Sequence, residues 1–332
     1  MHSLTRNYPG NNGGILDYIC PLCATGYERY FPFLNKYTII DKKSKVKNKK
    51  SKRKQKLKGD DMFRVLPADI FDKETGIREK LRIATVGGFE GIEIDIQEAD
   101  TLVRQYSPAY VKGMLDSFNL KAGVWKLPFS LSSDQTTYEK AFQYLDNYGR
   151  VASYLEAFRV ISFIEPQDRK PLKDNLNFYI ERITPVAKIL SNYGCKIGIG
   201  IEDHKYFLSA EIKQLCRKIK TGNAGFILSA RQWHLADGQT GELKKISKDE
   251  IVYVLVGDVS SENKGRYLPG ETGVVNLPLF LNTLAEIGYD GPVSPEMPDR
   301  DLLTIPSELA VRLLGGAFLK VWNRVFTDRQ QD

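Results

Sequence analysis

The chain has 332 residues, 42% hydrophobic and 27% charged, with a formal net charge of +7, and reads as a soluble globular protein with enough apolar residues for a large core. Its longest apolar stretches, such as Phe158 to Ile164 and Ile251 to Val256, fall far short of the ~20 residues that cross a bilayer, and Met1 to Asn12 lacks a secretory apolar core. A membrane span is thereby excluded and a cytoplasmic location expected.

The positive charge is concentrated at one end. Residues 1–61 carry 14 Lys and Arg against 5 Asp and Glu, which leaves 34 against 36 for residues 62–332. Within that first part Cys20 and Cys23 have the spacing of half a zinc knuckle, but no second half follows, and the pair reads as two ordinary thiols. Asp41 to Lys58, DKKSKVKNKKSKRKQKLK, is a cationic run that buries no apolar surface and is expected to be disordered. Three readings of residues 1–61 stay open: a nucleic-acid-binding arm, an inert extension, or sequence upstream of a mis-set start. Lys58-Gly59-Asp60-Asp61 before Met62 can be encoded by a purine run of the kind ribosomes bind ahead of a start codon.

From Met62 the pattern becomes short β-branched runs alternating with amphipathic stretches, the mark of βαβ units and a parallel sheet. Eight strands are predicted, at Phe63–Ile70, Gly91–Asp95, Lys121–Leu127, Phe158–Ile164, Lys196–Glu202, Ala224–Ser229, Ile251–Val256 and Pro292–Glu296. Helices are expected near Thr75–Val86, Pro108–Phe118, Thr136–Val151, Lys173–Tyr193, Ser209–Lys218, Gly241–Ile246, Leu277–Ile287 and Pro306–Val325. Eight such pairs fit a (β/α)₈ barrel over residues 62–332, and no glycine-rich phosphate loop follows any strand. Cys195 and Cys216 read as buried thiols of a reducing compartment.

A barrel carries its chemistry at the strand C-termini. The residues there are Asp69, Glu93 with Asp95, Trp125, Glu165, Glu202 with His204, Ser229 with Gln232 and His234, Asp258, and Glu296. Such an acidic mouth suits a polyhydroxylated ligand: Glu93 and Glu165 to bind hydroxyls, Trp125 to stack on a sugar face, His234 to orient the substrate and Arg266 to hold an anionic group. The plain alternative is that loop mouths are polar in any barrel.

Gly88 to Asp95 (GFEGIEID), Leu120 to Phe129 (LKAGVWKLPF), Ile199 to Glu202 (IGIE), Trp233-His234 and the gapless run Arg266 to Glu296 (RYLPGETGVVNLPLFLNTLAEIGYDGPVSPE) resemble the sugar phosphate isomerase/epimerase family, relatives of xylose isomerase and inosose dehydratase. The similarity runs from about Met62 to Leu319. It implies a barrel of the xylose isomerase-like type and a small sugar or cyclitol as substrate. It also implies one divalent metal (Mn, Mg, Co or Zn) held by a Glu, an Asp, a His and a Glu at successive strand ends, the two glutamates moving a proton at one carbon.

Carried over position by position, the first Glu is Glu202 and the last is Glu296, the implied catalytic pair. The Asp position holds Ser229 and the His position Leu255, so the metal site is degraded, with His204, His234 and Asp258 as possible substitute ligands. The leading expectation is an isomerase, epimerase or dehydratase-like enzyme. The rivals are a non-catalytic sugar-binding barrel and a nucleic-acid enzyme of the endonuclease IV branch, the latter tied to the basic tail. A homo-oligomer is possible.

Overall fold

The computed structural model describes residues 62–72, 74–165, 172–201, 210–299 and 301–326. The expectations for residues 1–61, and those for Glu202 and His204, lie outside the described residues. Eight parallel strands close into a barrel in strict sequence order: β1 (Phe63–Leu66), β2 (Gly91–Ile94), β3 (Lys121–Lys126), β4 (Arg159–Ile164), β5 (Lys196–Ile201), β6 (Ala224–Ser229), β7 (Ile251–Val256) and β8 (Pro292–Pro295). The ring closes where Phe63 and Arg64 of β1 pair with Pro292 and Val293 of β8.

Around it lie α1 (Ile77–Val86), α2 (Ile96–Gln105), α3 (Pro108–Ser117), α4 (Gln135–Phe142), α5 (Leu145–Tyr154), α6 (Leu172–Ser191), α7 (Ala210–Lys218), α8 (Ala230–Leu235), α9 (Thr240–Leu243), α10 (Leu277–Glu286) and α11 (Ser307–Phe326). No described helix is long and apolar enough to cross a membrane.

Strand alternation divides the apolar side chains into two sets. Val65, Val124, Ile161, Ile227 and Tyr253, with Phe63, Phe163 and Leu255 against them, fill the barrel interior. The alternate residues join the helices in a larger outer core. The interior layers need glycine at two close approaches. A Cβ on Gly123 would come 2.5 Å from Val65 Cγ2, and one on Gly200 2.7 Å from Phe163 Cδ1. The bulky Val, Ile and Phe side chains therefore pack across the axis only because their neighbours have none.

Four features differ from the sequence expectation, the first being the strand expected over Phe63–Ile70, which stops at Leu66 and is followed by a 3₁₀ turn over Ala68–Ile70. The helix predicted over Thr136–Val151 is two helices, α4 and α5. Two unpredicted helices, α2 and α8, start directly at strand ends, each on a side-chain cap. Asp95 accepts from the N–H of Gln97 and Glu98, and Ser229 from that of Gln232. Asp95 and Ser229 were read for chemistry, and their first task is to satisfy orphan helix donors.

Candidate active site

At the C-terminal mouth of the barrel lies a cavity of about 430 Å³. Its wall includes Asp69, Glu93, Lys126, Arg231, Arg266, Glu296 and Asp299, over a floor of Ile161, Phe163, Tyr253 and Leu255. Alternation explains which residues arrive. On β3, Val124 points inward, so Lys126 does too and Trp125 points out.

Trp125 is fully buried in the outer core with its Nε1 donating to the Ala157 carbonyl at 3.0 Å. The structure thus corrects its assignment as a stacking platform. Lys126, one residue on, holds the position the sequence reading gave to Trp125, and alternation from Val124 is the signal that could have found it.

Glu296, just past β8, is 8% exposed, and both its oxygens are engaged. Ser229 Oγ donates to Oε1, and Arg231 Nε donates to Oε2 at 2.6 Å. Room for the carboxylate comes from Gly257 after β7, where a Cβ would lie 2.9 Å from Oε2. Ser229 pairs with Leu255 in the strand register, and Leu255 with Ser294, so Ser229, Leu255 and Glu296, the residues that the sequence resemblance sets at the implied Asp, His and last Glu positions, come from three neighbouring strand ends. Arg231 joins Ser229 at the Glu296 carboxylate. The sequence reading missed it because it sits in α8, which was not predicted.

Glu93 lines the cavity from β2 and accepts the Ala68 N–H at 3.2 Å. Burial, with the Asp69 carboxylate as the next cause, pushes its carboxyl up to about 7. Tyr253 is 1% exposed at the cavity floor, and its hydroxyl forms no hydrogen bond among the described residues. The adjacent Ser294 Oγ is directed instead at the Pro295 carbonyl, 3.4 Å away. A buried hydroxyl without a partner is costly, and a polar ligand atom or water would satisfy it.

The other predicted residues fall as follows. Arg266 lines the cavity rim in a two-point contact with Asp299, its Nε and its own backbone N–H each 2.8 Å from a carboxylate oxygen. Glu165 is exposed and outside the cavity lining, its carbonyl accepting the Tyr179 hydroxyl. His234 is also outside the lining, with Nε2 3.3 Å from Asn263 Oδ1.

Asp258 is fully buried and accepts four backbone N–H groups, from Val259, Thr272, Gly273 and Val275, at 2.8–3.1 Å. Burial works against its charge, but these donors outweigh burial and hold the carboxyl below the usual carboxylate range. Asp258 pins the loop that carries Arg266, and with its acceptor positions filled it is corrected from a substitute ligand to a loop anchor.

A family model described as xylose isomerase-like TIM barrel matches residues 81–315. The chain belongs to that family. A human protein named "Putative hydroxypyruvate isomerase" is 25% identical over 252 residues, covering 70% of this chain and 87% of its own. A xylose isomerase domain protein from Alicyclobacillus acidocaldarius superposes with a TM-score of 0.68 at 23% identity, covering 78% of this chain and 98% of the other. The crystal structure of IOLI protein with a binding zinc atom gives a TM-score of 0.65 at 16% identity over 80% and 99%. These two structures establish the fold.

The divalent cation implied by the family does not fit the described residues. Leu255 offers no donor, Ser229 Oγ is committed to Glu296 and to the Gln232 N–H, and Glu296 already neutralises a guanidinium. Among the described residues no three His, Cys, Asp or Glu side chains converge as a ligand set.

Proposed function

We propose that this barrel is an isomerase or epimerase acting on a small α-hydroxycarbonyl compound, a sugar, keto-sugar, inosose or short hydroxy-oxo acid, by moving a proton at the carbon beside the carbonyl. The observation that carries the reading is the pairing in one cavity of two carboxyl groups in different surroundings, Glu93 in a low-dielectric wall and Glu296 against a guanidinium. Such a separation of environments is what acid–base chemistry on one substrate requires.

Glu296 is the proposed base, with Glu202 the partner expected from the sequence resemblance. Glu93, present in both protonation states near neutral pH, binds a substrate hydroxyl or returns the proton. Lys126 and Arg266 line the same cavity and are suited to orient an anionic or polyhydroxylated end. The human relative's name supports the substrate class.

The test is turnover of hydroxypyruvate, ketopentoses, ketohexoses and inososes followed by proton NMR. Conversion of one of them, abolished in Glu296→Gln while that compound still raises the variant's thermal midpoint, is the expected result. Binding without conversion by the wild type would favour a sugar-binding barrel instead.

A further inference from the structure

We propose that Arg231 stands where the family places its divalent cation, as a fixed guanidinium that meets the negative charge on the substrate's oxygen. Three observations meet at this corner. The Asp and His positions hold Ser229 and Leu255, which are neighbours in the strand register, so two of the four donors implied for a hard cation are gone. Arg231 is mostly buried and its Nε donates to the retained Glu296 at 2.6 Å. Among the described residues neither of its Nη nitrogens makes a hydrogen bond to protein, although the side chain lines the cavity.

Leu255 then has a physical role. It is an apolar wall of the same cavity, and an imidazole or carboxylate there would reintroduce a competing ligand. Ser229 holds the second Glu296 oxygen, so the carboxylate is fixed at two points and orients the arginine in turn.

The inference rests on the proton-transfer reading. A carboxylate takes the proton from the carbon beside the carbonyl, and the C–H electron pair becomes the C=C bond of an enediolate. The former carbonyl oxygen gains the charge, which the Nη donors stabilise without forming a bond. When the proton returns to the same carbon the carbonyl re-forms and the charge is discharged; return to the former carbonyl carbon also needs the hydroxyl proton to pass from the other oxygen to the charged one, and no metal or oxidant enters the balance. The ligand class is a planar oxyanion of the enediolate or α-oxocarboxylate type.

Oxalate, a planar dianion of that shape, is the probe. Isothermal titration of the full-length protein in excess EDTA is expected to show saturable binding, and chelator-free protein supplied with Mn²⁺ is expected to bind no more tightly. Arg231→Gln should weaken it at least about tenfold, and Arg231→Lys less. Because Arg231→Gln leaves Glu296 buried without its cation, the double variant Arg231→Gln/Glu296→Gln, a neutral pair, separates lost binding from lost folding. It is expected to keep the wild-type thermal midpoint and still fail to bind.

Oxalate binding that appears only with divalent cation, that persists in both variants, or that is absent throughout would overturn the assignment. Oxalate binding lost with Arg231 in a protein that isomerises none of the compounds above would leave this assignment standing and remove the isomerase reading.

Discussion

Glu93 illustrates how one side chain can link stability to chemistry. Its carboxyl sits at about 7 in the folded protein, above the ordinary value of 4.5, chiefly because it is buried. Between those two values the folded state holds a proton that the unfolded state releases. Stability is therefore full below pH 4.5 and falls as pH rises through 7. Glu93→Gln is expected to raise unfolding stability at pH 8 by on the order of 3 kcal/mol and to change it little at pH 4, as read by urea denaturation at both pH values. An equal effect at the two would remove the buried-acid description. The same substitution should flatten the pH dependence of turnover near neutrality.

Gly257 makes a second prediction at this scale. Alanine there places a carbon 2.9 Å from Glu296 Oε2, so Gly257→Ala should displace the carboxylate from Arg231. The expected result is loss of activity with a stability cost of about 1–3 kcal/mol, measured by turnover and thermal unfolding.

The candidate residues were legible to unequal degrees. Glu296 and Glu93 are strand-end residues on inward-facing positions, and a period of two finds both. Trp125 was misread because an aromatic next to a strand end suggests stacking, whereas the position of Val124 already fixes it outward. Asp258 and Asp95 look like ligands by residue type. Their lone pairs are taken by backbone N–H groups, a fact of loop and cap geometry that residue identity does not carry.

At the level of elements, the strands were legible because each is a short run rich in Ile and Val bounded by polar turns, and the outcome matches to within a few residues at each end. What the sequence hid were helices that begin directly at strand ends. No loop separates β2 from α2 or β6 from α8: the cap is the residue after the strand at Asp95 and the last strand residue at Ser229, so the periodicity changes without punctuation. Arg231 was lost with α8 for this reason.

The loop after β7 depends on a single carboxylate. Asp258 gathers four N–H donors from Val259 to Val275. Asp258→Ala should leave these buried donors unmatched and destabilise the protein by about 3 kcal/mol or more. Because the same loop carries Arg266, weakened binding of any anionic ligand should accompany the loss. Unchanged stability in a denaturant titration would mean that the loop is held by something else.

For the whole molecule, every described strand and both apolar cores lie from Met62 onward. A protein starting at Met62 is thus expected to keep its thermal midpoint. Its net charge should shift from +7 to slightly negative, seen as loss of retention on a cation-exchange column at pH 7. A collapse of the midpoint would show that the first 61 residues contribute to the fold.

Family membership and barrel closure agree on the architecture, and at one corner of its mouth Ser229 and Arg231 both donate to Glu296. The proposed function has a carboxylate of this cavity take and return a proton at the carbon beside a carbonyl. The most direct measurement is proton NMR of hydroxypyruvate and simple ketoses incubated with the protein in D₂O, which registers C–H exchange even where net conversion is small. The expected result is deuterium incorporation beside the carbonyl that is abolished in Glu296→Gln. Retention of every carbon-bound proton, by compounds that nonetheless bind, would contradict it.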